Sequence, residues 1–299
     1  MEKKVEPQRK NRLTVLKPED VIRFNCNEKL ECYTRCCRDI TIFLTPYDVL
    51  RMKNALQISS GDFLAGYTAT LIGDAGLPVV VLKMLEDDMK SCPFVKSSGC
   101  MIYPDRPWAC RIYPLQPEST QLTEKAGKTY YSVMNIPFCL GLEADRTLTL
   151  KAYIEEQEIP VYIEMEALFK KISTNENLLK EKITNKKILD MYYMASYDLD
   201  RFRRFVFEST FLDRFDIELQ TIEEIKSDDV ALYRFAIQWL EYGLLAQHVM
   251  KVKPDVMAAK KQEMSGYISG LKALLSLWQR DYENGVIFAN QALENLPQN

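Results

Sequence analysis

Residues 26–37 read Cys26-Asn27-Glu28-Lys29-Leu30-Glu31-Cys32-Tyr33-Thr34-Arg35-Cys36-Cys37, and they include four of the chain's eight cysteines. No cysteine follows residue 139, although the chain continues to residue 299. Thiols that serve only as small apolar core groups would scatter along a chain. Thiolate is also the soft ligand that zinc and iron–sulfur clusters prefer. The confinement therefore predicts a metal site that holds zinc or an iron–sulfur cluster, with the candidate ligands Cys26, Cys32, Cys36, Cys37, Cys92, Cys100, Cys110 and Cys139.

The spacing of the cysteines does not select the metal. The first group is Cys-x5-Cys-x3-Cys-Cys and the second is Cys-x7-Cys-x9-Cys, so the Cys-x2-Cys knuckle of a common zinc ribbon is missing. Neighbouring side chains in an extended backbone point to opposite faces. We therefore expect Cys36 and Cys37 to serve different metals, or one to be a ligand and the other not. Eight thiols suffice for two four-cysteine sites, or for one such site with reserve thiols nearby.

Arginines flank the cysteines in sequence. A divalent ion held by four thiolates carries a net charge of about −2, which needs compensation in a partly dry site. Arg38, Arg106 and Arg111 are placed to supply it, and the alternative is that they are ordinary surface arginines. Pro107 predicts a rigid turn into a short helix, in which Arg106 and Cys110 would share a face.

Composition and charge narrow the class of protein. Hydrophobic residues make up 47% and charged residues 27%, as in a globular protein, and the formal net charge of −3 argues against a general nucleic-acid or membrane-surface binder. No signal peptide is recognisable, and no stretch reaches the ~18 apolar residues of a membrane-spanning helix. We expect a cytoplasmic protein, in which thiols stay reduced.

The sequence argues against a site that depends on histidine. The only histidine is His248, which lies far from the cysteines in an apolar helical pattern. A Cys2His2 zinc site, an HExxH protease and a Ser-His-Asp triad each need histidine in a matched arrangement. His248 is therefore expected to be a structural or surface residue.

The pattern along the chain predicts an α+β protein. We expect a flexible tail over residues 1–20, a turn-rich cysteine-cluster domain over 21–146 and an α-helical domain over 147–299. Thr45-Pro46-Tyr47-Asp48 reads as a helix start with a capping box. Strands are expected at Val21–Phe24, Leu77–Met84, Met101–Tyr103 and Tyr130–Met134.

The helical domain has the periodicity of an amphipathic bundle. Aromatic and aliphatic residues recur at three- and four-residue spacing between residues 186 and 249, and a last helical pattern runs from about 262 to 296. These stripes are expected to be core. We expect the remaining surface of this domain to contact a protein partner, and we expect neither nucleic acid nor membrane as a partner.

The order of the cysteines and their neighbours resembles the YkgJ-type cysteine-cluster family, which is described as zinc- or iron-chelating. The resemblance covers about residues 22–145 and is carried by Phe24-x-Cys26, Cys32, Cys36-Cys37-Arg38, Leu44-Thr45-Pro46-Tyr47-Asp48, Cys92-Pro93-Phe94, Gly99-Cys100-x-Ile102-Tyr103, Arg106-Pro107-x-x-Cys110-Arg111-x-Tyr113-Pro114 and Cys139 before Gly141. The wide opening from Cys26 to Cys37 departs from the compact Cys-x2-Cys-x2-Cys-Cys of many members. It is similar to the opening of flagellin lysine-N-methylase, a related enzyme associated with an iron–sulfur cluster.

Three functions remain open from the sequence. The first is a metal-binding protein that holds zinc or an iron–sulfur cluster. The second is an iron–sulfur-dependent enzyme, either redox or methylase-like, which the resemblance implies; no glycine-rich loop suited to S-adenosylmethionine or a nucleotide stands out among the 11 glycines. The third is a thiol-redox sensor without a metal.

Overall fold

The computed structural model describes residues 15–73, 76–118, 129–180 and 183–259, together with 262, 269 and 276. The chain divides into two compact units. The first contains the described residues up to Phe205 and the segment Leu219–Val249, and the second contains Val206–Glu218 and the described residues from Met250 onwards. Short antiparallel strands come first along the chain and helices dominate later, so the predicted α+β class is confirmed.

The strands are short and pair antiparallel. They are β1 (Val21–Arg23), β2 (Phe43–Leu44), β3 (Thr68–Ile72), β4 (Pro78–Leu82), β5 (Val95–Lys96), β6 (Gly99–Cys100), β7 (Leu115–Glu118), β8 (Tyr130–Val133), β9 (Thr147–Thr149), β10 (Phe215–Asp216) and β11 (Lys251–Val252). In the first unit they form a three-stranded sheet of order β2-β4-β3 and the pairs β1-β9, β5-β6 and β7-β8.

The first two helices lie between β2 and β3 in the chain. The helices are α1 (Pro46–Leu56), α2 (Ser60–Tyr67), α3 (Trp108–Ile112), α4 (Leu150–Glu156), α5 (Ile159–Ser173), α6 (Glu176–Lys180), α7 (Lys186–Ser196), α8 (Leu199–Glu208), α9 (Phe211–Arg214), α10 (Leu219–Ser227) and α11 (Asp229–Leu245). Tight 3-10 turns cover Arg35–Cys37, Tyr103–Asp105 and Leu140–Glu143. No helix within the described ranges is long and apolar enough to cross a membrane. Most of the helical pattern expected at 262–296 lies outside the described residues.

One of the four expected strands is wrong. The strands expected near residues 21, 80 and 131 are present with shorter bounds, as β1, β4 and β8. Met101 lies in a turn, and Tyr103 begins a 3-10 turn that the Asp105 amide closes by donating to the Ile102 carbonyl at 2.8 Å. Pro104 follows and has no amide proton for a strand ladder, so the chain turns here instead of extending.

A hydrophobic core joins the two sides of the expected domain boundary at residue 146. Ile22, Ile112 and Tyr131 pack in one cluster with Leu150 and Tyr153. Strand β1 also pairs with β9, with Ile22 opposite Leu148. The start of the expected helical domain thus lies inside the first compact unit, and independent folding of the two expected domains stays a prediction.

The second unit contains a two-stranded antiparallel pairing of its own. Strands β10 and β11 pair with Phe215 opposite Val252. The Phe211 and Phe215 rings lie 4.8 Å apart, and the Lys253 ammonium donates to the Leu212 carbonyl at 2.9 Å. These contacts hold residues that follow α8 against the segment after residue 250.

Asp48 connects the start of α1 to the helix that carries Cys110. The Thr45 side chain accepts from the Asp48 amide, and the Asp48 carboxylate accepts from the Thr45 amide at 2.8 Å, so the predicted capping box is present. The other oxygen of this carboxylate accepts from the Trp108 amide at 2.7 Å, at the first position of α3. Asp48 is 1% exposed, and burial raises its pKa to about 6 although these hydrogen bonds oppose the rise.

A second polar network joins α1 to α8 and α11. Lys53 is 6% exposed, and its ammonium lies 2.9 Å from the Asp229 carboxylate and 3.4 Å from that of Asp200. Arg203 also contacts Asp229. Burial alone would raise the pKa of Asp229, but the hydrogen bonds and charges of Lys53 and Arg203 outweigh it and lower the pKa to about 2.

We predict that Asp48→Asn lowers the free energy of unfolding by about 1–3 kcal/mol. The asparagine NH2 group would face an amide that needs an acceptor, either Thr45 or Trp108, and leave it unsatisfied. The measurement is urea denaturation of both proteins. The control is Asp62→Asn, which changes an exposed carboxylate three residues after the Ser59 N-cap of α2. Equal small losses from both substitutions would contradict the assigned role of Asp48.

We predict that Lys53→Met costs about 3 kcal/mol at neutral pH, because it leaves two partly buried carboxylates with Arg203 as their only remaining cation among the described residues. The folded-state pKa of Asp229 is depressed, so its contribution is complete above pH ~4 and is lost as the pH falls towards ~2. The variant should therefore lose less stability over that interval than the parent protein. Lys90→Met is the control, since Lys90 and Asp39 pair at 2.9 Å on the exposed surface. Parallel stability–pH curves for parent and Lys53→Met would refute the assignment.

Candidate metal centre

Turns and the ends of short elements carry the eight cysteines. In chain order they lie after β1 (Cys26), in a turn (Cys32), in the 3-10 turn Arg35–Cys37 (Cys36 and Cys37), in a loop (Cys92), in β6 (Cys100), in α3 (Cys110) and at the start of the 3-10 turn Leu140–Glu143 (Cys139). All eight are free thiols. Cys26 is exposed and the other seven are half-buried. The site is therefore built from several segments that are distant in sequence.

Two backbone hydrogen bonds hold these segments together. The Cys92 amide donates to the Cys37 carbonyl at 2.8 Å. The Asn25 amide donates to the Gly141 carbonyl at 3.0 Å, which places the residues before Cys26 against those after Cys139. Backbone contacts thus bring the early cysteines to two later ones.

Two glycines permit close approaches around the site. A Cβ at Gly141 would lie 3.0 Å from the Asn25 carbonyl oxygen and 3.1 Å from the Phe24 ring. Gly99 has a φ of +114°, and the Tyr33 side chain lies directly against its Cα. The Tyr33 hydroxyl donates to the Ser98 carbonyl at 3.2 Å, so the turn that carries Cys32 is tied to the β5-β6 hairpin. Both positions need glycine because a side chain would collide with these neighbours. Gly99 also needs it because its φ lies in the region that other residues rarely adopt.

Mutual electrostatic effects divide the thiols into two groups. Desolvation raises the pKa of Cys26 to about 11, and the neighbouring thiols Cys36, Cys32 and Cys139 add to the rise. Desolvation likewise raises the pKa of Cys110 to about 12, with further contributions from Cys92, Cys100 and Cys36. The pKa of Cys37 is raised by a hydrogen bond with Cys36 and by desolvation, and the charges of Cys36, Cys110 and Cys92 add to the rise. We refer to Cys26, Cys32, Cys36 and Cys139 as the first group and to Cys37, Cys92, Cys100 and Cys110 as the second group, although Cys36 also acts on every member of the second.

The adjacent pair Cys36-Cys37 lies where the two groups meet. A hydrogen bond between the two thiols lowers the pKa of Cys36 to about 7 and raises that of Cys37. Cys36 also acts on members of both groups. The two residues therefore have different surroundings, as adjacent side chains with divergent directions would.

A cavity of about 560 Å³ lies between the two groups. Six thiols line it, and these are Cys26, Cys36, Cys37, Cys92, Cys100 and Cys110. In the part of the chain that the structure describes, no three thiol, imidazole or carboxylate groups are positioned around a single metal ion. The donor set, free thiols around one cavity, nevertheless fits a thiophilic metal group that is larger than one ion.

Two of the three flanking arginines, Arg106 and Arg111, differ in what they contact. Arg106 lines the cavity, and its charge lowers the pKa of Cys100 against the larger effect of desolvation. Its expected neighbour Cys110 is four residues away in sequence, but α3 begins only at Trp108, with Pro107 as its N-cap, so Arg106 precedes the helix. Arg111 is 2% exposed and donates to the Gln157 carbonyl at 2.9 Å and to Glu158 at 3.2 Å. Of these two, Arg106 is the one that lines the cavity and whose charge acts on a thiol.

Tyr113 is a residue of the site to which the sequence assigned no role. Burial raises the pKa of its hydroxyl, and the neighbouring thiols of Cys139, Cys36 and Cys32 add to the rise. This buried oxygen has no hydrogen-bond partner among the described residues. The Phe24 ring lies edge-on to the Tyr113 ring at 6.4 Å and to the Tyr153 ring at 5.9 Å. The sequence did place Tyr113 in the quoted motif, two residues after Arg111. Position in the motif does not show which way a side chain points, so its place beside the thiols could not be predicted.

We predict that Cys36→Ser and Cys37→Ser give different metal contents after loading. Cys36 neighbours thiols of both groups, so its loss should remove more bound metal than the loss of Cys37, which neighbours mainly the second group. Metal is measured by elemental analysis of protein loaded under reducing conditions. Arg35→Ser is the control, because Arg35 shares the same 3-10 turn without contributing a thiol. Identical losses from both cysteine variants would mean that the pair acts as one unit.

Comparison with known proteins gives one match. The family model "CxxCxxCC: Putative zinc- or iron-chelating domain" matches residues 25–134, which include every cysteine of the site except Cys139. No curated protein and no solved structure matches the chain. The match agrees with the resemblance read from the cysteine motifs. The match therefore shows a likeness to this cysteine-cluster domain over residues 25–134, which is less than half of the chain.

Proposed function

We propose that the chain holds an iron–sulfur centre in the cavity between its two groups of cysteines. The observation that carries the proposal is that six free thiols line one cavity of about 560 Å³. The family description names zinc or iron, so the remaining question is which of the two the site suits.

The size of the cavity favours a cluster over a single zinc ion. Zinc bonds to thiolate sulfur at about 2.3 Å in a closed tetrahedron, so its four sulfurs lie about 3.8 Å apart. An iron–sulfur cluster places irons and bridging sulfides between its thiolates, so it suits thiols spread around a cavity. Such a centre, when bound, supplies one-electron transfer.

The protein's own groups would hold and tune such a centre. Cys36 and Cys37 supply sulfurs from one turn to both groups, and the later cysteines supply the rest. The Tyr113 hydroxyl lies near Cys139 and has no hydrogen-bond partner among the described residues, so it is available to donate to a ligand sulfur, which would favour the thiolate form. The aromatic rings of Phe24 and Tyr153 pack edge-on to each other at 5.9 Å and line the cavity.

A reducing compartment belongs to the same proposal. Eight free thiols are compatible with the cytoplasm, where disulfides are rare. A protein partner at the surface of the later helices, and an enzymatic role such as redox or methyl-transfer chemistry, stay predictions. A metal-free thiol-redox sensor is the competing function, and the lowered pKa of Cys36 is the observation that favours it.

We predict that the protein, purified and reconstituted without oxygen, contains iron and acid-labile sulfide and has a broad visible absorption that bleaches on reduction. The measurements are elemental analysis, sulfide assay and the absorption spectrum. Cys110→Ser should lose most of the iron, sulfide and colour, because its thiol lies among those of the second group. Lys90→Met, on the exposed surface, should retain them. Zinc without sulfide would contradict the cluster, and a metal-free protein with reversible thiol oxidation would favour the sensor.

A further inference from the structure

The cavity has a polar wall beside its thiols. The Arg106 guanidinium donates to the Tyr103 carbonyl at 2.6 Å and to the Gln157 side-chain oxygen, and it lies over the Tyr103 ring at 3.8 Å. Glu156, the residue before Gln157, pairs with Arg146. All five residues line the cavity. They form one connected wall, with Arg106 as its member next to Cys100.

Arg106 is a buried cation whose protein partners are neutral. It is 7% exposed, and both of its hydrogen bonds go to uncharged oxygens. No carboxylate of the described chain pairs with it, whereas the equally buried Arg111 pairs with Glu158 and the wall residue Arg146 pairs with Glu156. A guanidinium has five donors, so Arg106 retains donors for another group. A buried charge without a counter-charge is costly, so an anion in the cavity would relieve that cost.

We propose that the cavity binds a small organic monocarboxylate, with the carboxylate on Arg106 and an apolar body against the rest of the lining. The proposal rests on the proposed function in one respect, that the bound carboxylate would lie beside the metal centre. Arginine suits a carboxylate because two parallel N–H groups match its two oxygens.

Charge and lining define the ligand class. Of the two arginines that line the cavity, Arg106 has no carboxylate partner among the described residues, so its single positive charge matches one negative charge. The Glu156 carboxylate in the same wall disfavours a dianion. The lining is otherwise largely apolar and includes Phe24, Ile102 and Met134. Such surfaces bind an aromatic or aliphatic body and leave the orientation to a few polar groups.

The metal centre itself is the rival counter-charge. A thiolate-ligated cluster is negative, and Arg106 lies close enough to Cys100 to act on it. If Arg106 serves only the centre, its removal changes metal retention and not ligand binding. If it receives a carboxylate, its removal changes the affinity for that ligand in molecules that still hold metal.

The test uses phenylacetate and its neutral counterpart phenylacetamide as probes on the full-length, metal-loaded protein, with calorimetric titration. Phenylacetate should bind about tenfold or more tightly than phenylacetamide, a difference of at least ~1.4 kcal/mol. Arg106→Gln should remove this preference and leave the weak binding of the amide unchanged. Arg51→Gln should keep it, because Arg51 pairs with Asp105 and does not line the cavity. Iron and sulfide are measured in each sample.

Equal affinity for the two probes, or no binding of phenylacetate to the parent protein, would overturn the proposal without any variant. Parent-like phenylacetate affinity per loaded molecule in Arg106→Gln, with reduced metal content, would assign Arg106 to the centre alone. Charge-dependent binding in a protein without iron and sulfide would keep the ligand site and refute the iron–sulfur centre. The two proposals therefore fail separately.

Discussion

The hydrogen bond from the Cys92 amide to the Cys37 carbonyl joins the two halves of the cysteine site, because it fixes the 3-10 turn against a loop far along the chain. The adjacent thiols of that turn then face different neighbours. Other contacts in the first unit also bring the cysteine-bearing segments together. Tyr33 ties the preceding turn to the β5-β6 hairpin, and Gly141 allows the segment after Cys139 to lie against Asn25.

Residues of α1 and of the chain after residue 146 form hydrogen bonds that position the cysteine site. Asp48 holds the first amide of α3, the helix with Cys110, through the same carboxylate that caps α1. Arg111 extends from α3 to the Gln157 carbonyl, and the Arg106 side chain reaches the same residue. The chain after residue 146 thereby positions the residues around the thiols. A domain of limited core can rely in this way on both a metal and a neighbouring helical layer.

The sequence was sufficient where local chemistry decides the structure. The cap at Thr45, the proline at the first helical position and the β-branched run of β4 each act over a few residues, and each was predicted. The concentration of cysteines predicted a shared metal site of eight ligands, which stays a prediction, and six of these thiols line one cavity. Pairing between distant segments was not predictable in this way. The β1-β9 ladder and the Asp48 contact with Trp108 depend on tertiary approach, and the neighbour of Arg106 changed from Cys110 to Cys100 because Pro107 caps the helix instead of entering it.

We propose that thiols from both groups meet around one cavity and hold a polynuclear iron centre there. The most direct test is diffraction from crystals grown without oxygen, with data collected on both sides of the iron absorption edge. We expect anomalous iron density inside the cavity, bonded to sulfur from the Cys36-Cys37 turn and from the later cysteines. A single zinc ion with four sulfur ligands, or disulfides that join these cysteines, would contradict the account.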